Sequence, residues 1–392
     1  MRSYVKKEAC SYMKNILILS CKAGEGHNAA AKAILERIEH EGHRARFHDF
    51  FGLTSDKASD AINNSYVRVA QHAPFLFGAA YNMGLSFSRF LHHGHSPIYW
   101  ACARVARNLR ELLEKEHFDA IVMTHVFPAI AVTYLKKKGF DVPLSIFVST
   151  DYTCYPFMEE ATECDYFVLA NEQVEPMFTK RGIPAHKLRS FGIPISLRFL
   201  HSIDREEARR HLNIPLDKSL YLIMGGSMGA GHLRTFTNQL YKEIGDAEMA
   251  VICGKNDALR SALEKDFADM PNVHIVGFTT EIPQYMAACD VLYTKPGGLT
   301  STEALVCKTP TVHTAPIPGC ESFNFRFFGE NGIALPSKNQ REQIECGLRL
   351  ASDGELRRSM RERQDACAKP NASLDILQLA IEANADAEAT VQ

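Results

Sequence analysis

Lys295-Pro296-Gly297-Gly298-Leu299-Thr300-Ser301-Thr302-Glu303-Ala304-Leu305 decides how the rest of this chain is read. It follows an apolar run, Cys289-Asp290-Val291-Leu292-Tyr293, that reads as a short buried strand. It leads into Glu303-Ala304-Leu305-Val306-Cys307, whose pattern is helical. Strand, glycine turn and helix start together present backbone N–H groups to a phosphate. The stretch therefore predicts a nucleotide-diphosphate site, with Glu303 on the first helical turn, where a carboxylate accepts hydrogen bonds from a ribose diol.

The same junction occurs twice earlier in the chain. Asn15-Ile16-Leu17-Ile18-Leu19-Ser20 is a fully apolar strand, followed by the turn Cys21-Lys22-Ala23-Gly24-Glu25-Gly26-His27 and an alanine-rich helix from Asn28 to about His40. Asp119–Thr124, Leu144–Asp151 and Asp165–Ala170 continue the series as strands. A second series starts at Leu220-Tyr221-Leu222-Ile223-Met224 and runs into Gly225-Gly226-Ser227-Met228-Gly229. It goes on through Glu248–Cys253, Val273–Phe278 and Thr311–Thr314. Apolar strands alternating with helical segments read as α/β with parallel sheets. The boundary falls near Asn213-Ile214-Pro215.

The chain has 392 residues, enough for two ordinary domains. We assign 1–200 and 201–370 to them, and 371–392 to a terminal helix that packs back on the first. The 44 basic residues nearly balance the 46 acidic ones, which argues against bulk nucleic-acid binding. The 11 cysteines contain no C-x-x-C pair and fit reduced thiols in a cytoplasmic protein. No apolar run is long enough to span a membrane. Residues 61–110 differ from the rest: they contain five arginines and no Asp or Glu, interleaved with Tyr66, Phe75, Phe77, Tyr81, Phe87, Phe90, Tyr99 and Trp100. They read either as ordinary amphipathic helices or as a surface that sits on anionic lipid headgroups. His92, His93 and His95 lack the partners of a metal site.

His27 reads either as a polar residue at a helix start or as a general base at the carboxyl edge of a sheet. Asp151, ending its strand, reads either as a turn cap or as a carboxylate that orients a base or a sugar hydroxyl.

Several motifs together resemble the glycosyltransferases that include monogalactosyldiacylglycerol synthases and bacterial diacylglycerol glucosyltransferases. They are I-L-x-x-x-x-G-x-G-H at Ile18–His27, T-D at Thr150-Asp151, G-I-P-I at Gly192–Ile195 and G-G-S-x-G at Gly225–Gly229. The most specific are K-P-G-G-x-T-x-x-E-A at Lys295–Ala304 and P-x-P-G-x-E-x-x-N at Pro316–Asn324. The resemblance implies a GT-B architecture, two Rossmann-like doubly wound domains facing across a cleft. It implies an inverting enzyme that moves a hexose, glucose or galactose, from a UDP-sugar to a membrane lipid such as diacylglycerol. No metal or other cofactor is implied. By the same resemblance Gly225, Gly226 and Ser227 face the diphosphate, and Phe278 lies beside the uracil. Pro296, Gly297, Gly298 and Thr300 hold the α-phosphate side, Glu303 the ribose, and Gly319, Cys320 and Glu321 the donor sugar. His27 is the implied base and Asp151 its support or alternative. Gly26, Arg89 and Trp100 fall on the acceptor and membrane side, so the expected location is the inner face of the cell membrane, bound peripherally.

Two positions depart from the family pattern. Cys320 stands where glutamine is usual, and Tyr155 and Met158 are the nearest residues to a His and a Trp that often follow the T-D pair. Both bear on donor or acceptor recognition. Other readings are transfer to a polyprenyl-linked or soluble aglycone, a non-catalytic UDP-sugar sensor, and a UDP-sugar epimerase.

Overall fold

The computed structural model describes residues 13–22, 25–55, 81, 83, 84, 95–225 and 233–391. The first unit runs β1 (Asn15–Ser20), α1 (Glu25–His40), β2 (Arg44–Asp49), α2 (Pro97–Lys115), β3 (Ala120–Met123), α3 (Val126–Lys137), β4 (Leu144–Val148), β5 (Tyr166–Val168), α4 (Glu175–Thr179) and β6 (Leu188–Arg189). The second runs α5 (Arg205–His211), β7 (Leu220–Met224), α6 (Leu233–Tyr241), β8 (Glu248–Ile252), α7 (Asp257–Asp266), β9 (Val273–Val276), α8 (Ile282–Ala288), β10 (Val291–Thr294), α9 (Gly298–Val306), β11 (Thr311–His313), α10 (Cys320–Glu330), β12 (Leu335–Pro336), α11 (Gln340–Ser352) and α12 (Gly354–Cys367). A last helix, α13 (Ala372–Val391), follows.

Each unit is built on a six-stranded sheet, β2-β1-β3-β4-β5-β6 in the first and β12-β11-β10-β7-β8-β9 in the second. All pairings are parallel. Parallel strands need crossovers, and the crossover helices cover both faces of the sheet. The sequence of β1 meets that demand, since Ile16, Leu17, Ile18 and Leu19 are all buried. Its even residues pack with Ala31, Ile34 and Ile38 of α1; its odd residues pack with Val105 and Leu109 of α2 and Ile130 of α3. Each such side chain contributes roughly 1.5–3 kcal/mol by leaving water.

The terminal helix α13 belongs to the first unit's core. Ile376, Leu377 and Ala380 are buried against Ile16, Ile18 and Ile34. The chain therefore crosses between units twice, once before α5 and once between α12 and α13.

At the amino ends of β7 and β10, a buried ion pair fixes the second sheet. Asp290 accepts from Arg209 Nη2 at 2.8 Å, from the Leu220 amide at 2.9 Å and from Arg205 at 3.0 Å. The fully buried Arg209 spends its other donors on the Ala288, Pro215 and Lys218 carbonyls. Removing one partner strands the other charge in the core. Asp290→Ala is expected to lower unfolding stability by about 3–5 kcal/mol in urea titration; a loss under about 1 kcal/mol contradicts this account.

Candidate active site

In an open parallel sheet, ligands bind beyond the carboxyl ends of the strands where the strand order reverses. In the second sheet that point lies between β7 and β10, whose carboxyl ends lead to Gly225 and to Lys295-Pro296-Gly297. In the first sheet it lies between β1 and β3, whose ends lead toward α1 and to Thr124. The carboxyl ends of the two sheets face each other. The turn after β4 touches the start of α9 and the first turns of α10, and Lys255, after β8, reaches Glu25 of α1 at 3.8 Å.

His27 lies in the first turn of α1, which starts at Glu25 rather than at the expected Asn28. Its Nδ1 is 2.8 Å from the Thr124 carbonyl and 2.8 Å from Thr150 Oγ1. A carbonyl only accepts, so Nδ1 carries the ring proton and Nε2 keeps its lone pair. Burial pushes the imidazole down to about 4, only partly offset by the Thr124 carbonyl. His125 stands edge-on to it at 4.6 Å, itself held well below its ordinary value by burial and by His27. At neutral pH His27 is an uncharged base.

Asp151 is buried in the seam between the units. Oδ1 accepts from Asn324 Nδ2 at 2.7 Å and Oδ2 from the Tyr155 hydroxyl at 3.1 Å. Burial raises its carboxyl to about 6, against the pull of Asn324 and Tyr155. With both oxygens engaged, it is placed to orient other groups.

Gly297 caps α9 without a side chain to satisfy the first amides, and the space around it is open. Those amides and the helix dipole favour an anion. Gly298 lies under the other unit: a Cβ there would stand 2.0 Å from the Thr150 carbonyl oxygen, so only glycine fits. Pro296 is buried, its carbonyl accepting from Asn324 at 3.0 Å, and Thr300 is half-buried. Glu303 corrects the sequence reading. Because α9 begins at Gly298, Glu303 falls on the second turn, not the first. It is half-buried, and the protein around it raises its carboxyl to about 8, with Arg198 pulling the other way.

Gly319 has φ 126° and ψ −137°, a backbone that glycine alone adopts readily, and it turns the chain into α10. Cys320, the first residue of α10, is half-buried beside Asp151, its thiol pushed well up by desolvation and by that carboxylate. Glu321 closes its own loop, meeting Lys295 at 3.3 Å and accepting from the Ile317 amide at 2.8 Å. Gly225 is buried at the end of β7; Gly226 and Ser227 lie outside the described residues. Phe278, just after β9, is 70% exposed, with Lys255 Nζ 6.0 Å from its ring. Gly26 borders open space. Trp100 is 55% exposed on α2, while Arg89 and most of the aromatic segment lie outside the described residues. Among the described residues no cluster of His, Cys, Asp and Glu is arranged to hold a metal ion.

Three residues of this site had no role assigned from sequence. Asn324 closes a quoted motif, and it bonds Asp151, Pro296 and, through Oδ1, the Tyr152 amide at 2.8 Å. Tyr152 stacks on Phe327 at 4.4 Å and bonds Thr302 across the seam. Tyr155, noticed only as a departure, bonds both Thr150 and Asp151.

Comparison with known proteins agrees with this geometry. Residues 27–195 match the monogalactosyldiacylglycerol (MGDG) synthase family, and residues 233–366 match glycosyl transferases group 1. Together the two matches take in most of both units. The chain belongs to the glycosyltransferases of GT-B architecture. Among curated relatives of this glycosyltransferase, a processive diacylglycerol beta-glucosyltransferase of Bacillus cytotoxicus is 27% identical and one of Bacillus licheniformis 28%. The first comparison covers 94% of each chain, the second 93% of this chain and 94% of the relative. Among solved structures, Acinetobacter baumannii MurG aligns with a TM-score of 0.62 at 14% identity, covering 94% of this chain and 99% of that one. A UDP-GlcNAc 2-epimerase from Neisseria meningitidis aligns at 0.60, also at 14%, covering 94% of this chain and 100% of that one. At that identity these structures speak to the fold alone.

The ring of His27 is directly observable. In long-range nitrogen–proton NMR, the neutral ring is expected in the Nδ1–H form, titrating near pH 4 rather than near an ordinary histidine's 6.5. A midpoint near 6.5, or an Nε2–H tautomer, contradicts the assignment.

Proposed function

We propose that this glycosyltransferase moves a hexose, glucose or galactose, from a UDP-sugar to the free hydroxyl of a membrane lipid, 1,2-diacylglycerol. The product is a β-glycoside, formed by inversion and without a metal ion. The observation that carries the reading is His27: an uncharged base with a bare Nε2, held at the reversal point of the first sheet and facing the unit whose α9 begins with uncapped amides. The relatives named diacylglycerol beta-glucosyltransferases, matched over nearly the whole chain, support the acceptor class.

In this mechanism the acceptor hydroxyl gives its proton to His27 Nε2. Its oxygen forms a bond to the anomeric carbon as the bond from that carbon to the UDP oxygen breaks. UDP leaves with the electron pair. Its growing charge is met by the first amides of α9, at Gly298 and Thr300 beside Gly297, with Gly225, Gly226 and Ser227 as the proposed second phosphate-binding group. Glu303 takes the ribose, Phe278 flanks the uracil, and Gly319, Cys320 and Glu321 line the sugar.

The acceptor is a lipid, so the enzyme must work at a surface. No helix among the described residues is long and apolar enough to cross a membrane. Helix α2 buries Tyr99, Cys102, Val105, Ala106 and Leu109 while exposing Trp100, Arg104 and Arg107 in one stripe. An aromatic residue heading a basic stripe suits the headgroup region of an anionic leaflet. We place the enzyme peripherally on the inner face of the cell membrane, with Gly26 on the same acceptor side.

Incubation with UDP-glucose, UDP-galactose and diacylglycerol vesicles, followed by mass spectrometry of the lipids, tests the reaction. A hexosyl-diacylglycerol is expected from one of the donors; hexose on a polyprenyl or soluble acceptor instead overturns the lipid assignment. His27→Ala is expected to lower kcat by about 100-fold or more while UDP still binds in calorimetry. Near-normal turnover refutes the base. Sedimentation with phosphatidylglycerol vesicles is expected to fall at high salt and in Trp100→Ala and Arg104→Glu; salt-independent or absent binding refutes the surface.

A further inference from the structure

The departure at Tyr155 lies at the centre of a one-way hydrogen-bond chain. The Tyr155 hydroxyl is 3.0 Å from Thr150 Oγ1, 2.9 Å from the Thr150 amide nitrogen and 3.1 Å from Asp151 Oδ2. Thr150 Oγ1 is in turn 2.8 Å from His27 Nδ1. The donors can be assigned from chemistry alone. The Thr124 carbonyl obliges Nδ1 to carry a proton, leaving it no lone pair, so Thr150 Oγ1 can only receive, sharing that one N–H with the carbonyl in a three-centre bond. At the far end an ionised carboxylate only accepts, so the Tyr155 proton points to Asp151. Between them the Thr150 hydroxyl has one proton left, and it points to Tyr155. Every link runs from His27 toward Asp151. The ring of Tyr155 is itself buried, fixed between Phe147 at 6.1 Å and His27 at 6.2 Å.

We propose that Tyr155 is a positioning residue that connects His27, through Thr150, to the carboxylate of Asp151, and so to Asn324 of the second unit. This rests on His27 being the base. When His27 takes the acceptor proton it becomes a cation whose Nδ1–H already heads a chain of aligned dipoles ending in a negative charge. Aligned hydrogen bonds polarise one another, so the chain favours the imidazolium over the neutral ring. The neutral ring is meanwhile held in the one orientation that keeps Nε2 bare. Because Asp151 is held by Asn324, the second unit's loop helps set the first unit's base without touching it.

Tyr155→Phe and Thr150→Val each remove one hydroxyl, and with it two links, while keeping the shape, and Thr150→Ser keeps the hydroxyl. In the full-length enzyme, the first two are expected to lower kcat about 10-fold or more with the KM for the UDP-sugar within about 2-fold. Thr150→Ser retains most of the rate. The double variant Tyr155→Phe/Thr150→Val is expected to be no worse than the poorer single within about 3-fold, because a chain cut once is already cut. In NMR at neutral pH, the His27 Nδ1–H signal is expected to move upfield and exchange faster in both single variants, with melting temperature as the control for folding. Unchanged kcat in Tyr155→Phe, a double variant whose loss multiplies the two singles, or an unmoved His27 signal overturns the proposal. The NMR measurement separates it from the base assignment: if His27→Ala keeps its turnover, the base role falls, and the response of the ring to Tyr155→Phe still decides the chain of contacts.

Discussion

The pair of hydrogen bonds that Asn324 makes across the seam holds the two halves of this molecule in register. Its amide nitrogen donates to Asp151, and its oxygen accepts from the next amide along, that of Tyr152. Both contacts are buried, so the groups have no water to exchange with, and separating them leaves a carboxylate and an amide unsatisfied. Around this pair the seam is lined by aromatic rings. Tyr152 lies on Phe327 and against Phe328, and these rings merge with the first unit's core. Gly298 permits the approach, since any side chain there would meet the Thr150 backbone. The space beside Gly297 is open, whereas the units are welded at Asn324.

This asymmetry sorts the titratable groups. On the welded side, Asp151 is surrounded by donors and serves as an anchor. On the open side, His27 is uncharged and Glu303 is pushed toward its protonated form, so neither adds charge where a diphosphate is proposed to lie. Glu321, the other carboxylate nearby, is paired with Lys295. A site meant for a polyanion does well to neutralise its own acids.

The fold was legible in the sequence because parallel strands buried on both faces must be continuously apolar, as β1, β7 and β10 are. The elements that escaped lack that signature. β2 reads Arg-Ala-Arg-Phe-His-Asp; it is a half-exposed edge strand that pairs on one side only. β6 and β12 are two residues each, too short for any period. The helix starts were misplaced by a few residues where glycine, a poor helix former, nonetheless begins α9, because the first turn needs no intrahelical donors. In the site, the glycine turns and His27 announced themselves by spacing from their strands. Asn324 and Tyr155 did not: Asn324 meets a turn 173 residues away, and Tyr155, whose own partners are only four and five residues back, matters through what Thr150 touches.

The return of α13 to the first sheet bears on how the chain is made. Ile16 and Ile18 leave the ribosome long before their covering partners, Ile376 and Leu377, which follow the whole second unit. The first unit therefore cannot finish its core when its own strands are complete. It must wait, with one apolar face of its sheet partly bare, while the whole second unit is synthesised and folds. Domains usually fold in order of synthesis, and exposed apolar surface invites aggregation meanwhile. Here the unit made first is completed after the second, so the window for chaperone capture spans the translation of the whole second unit.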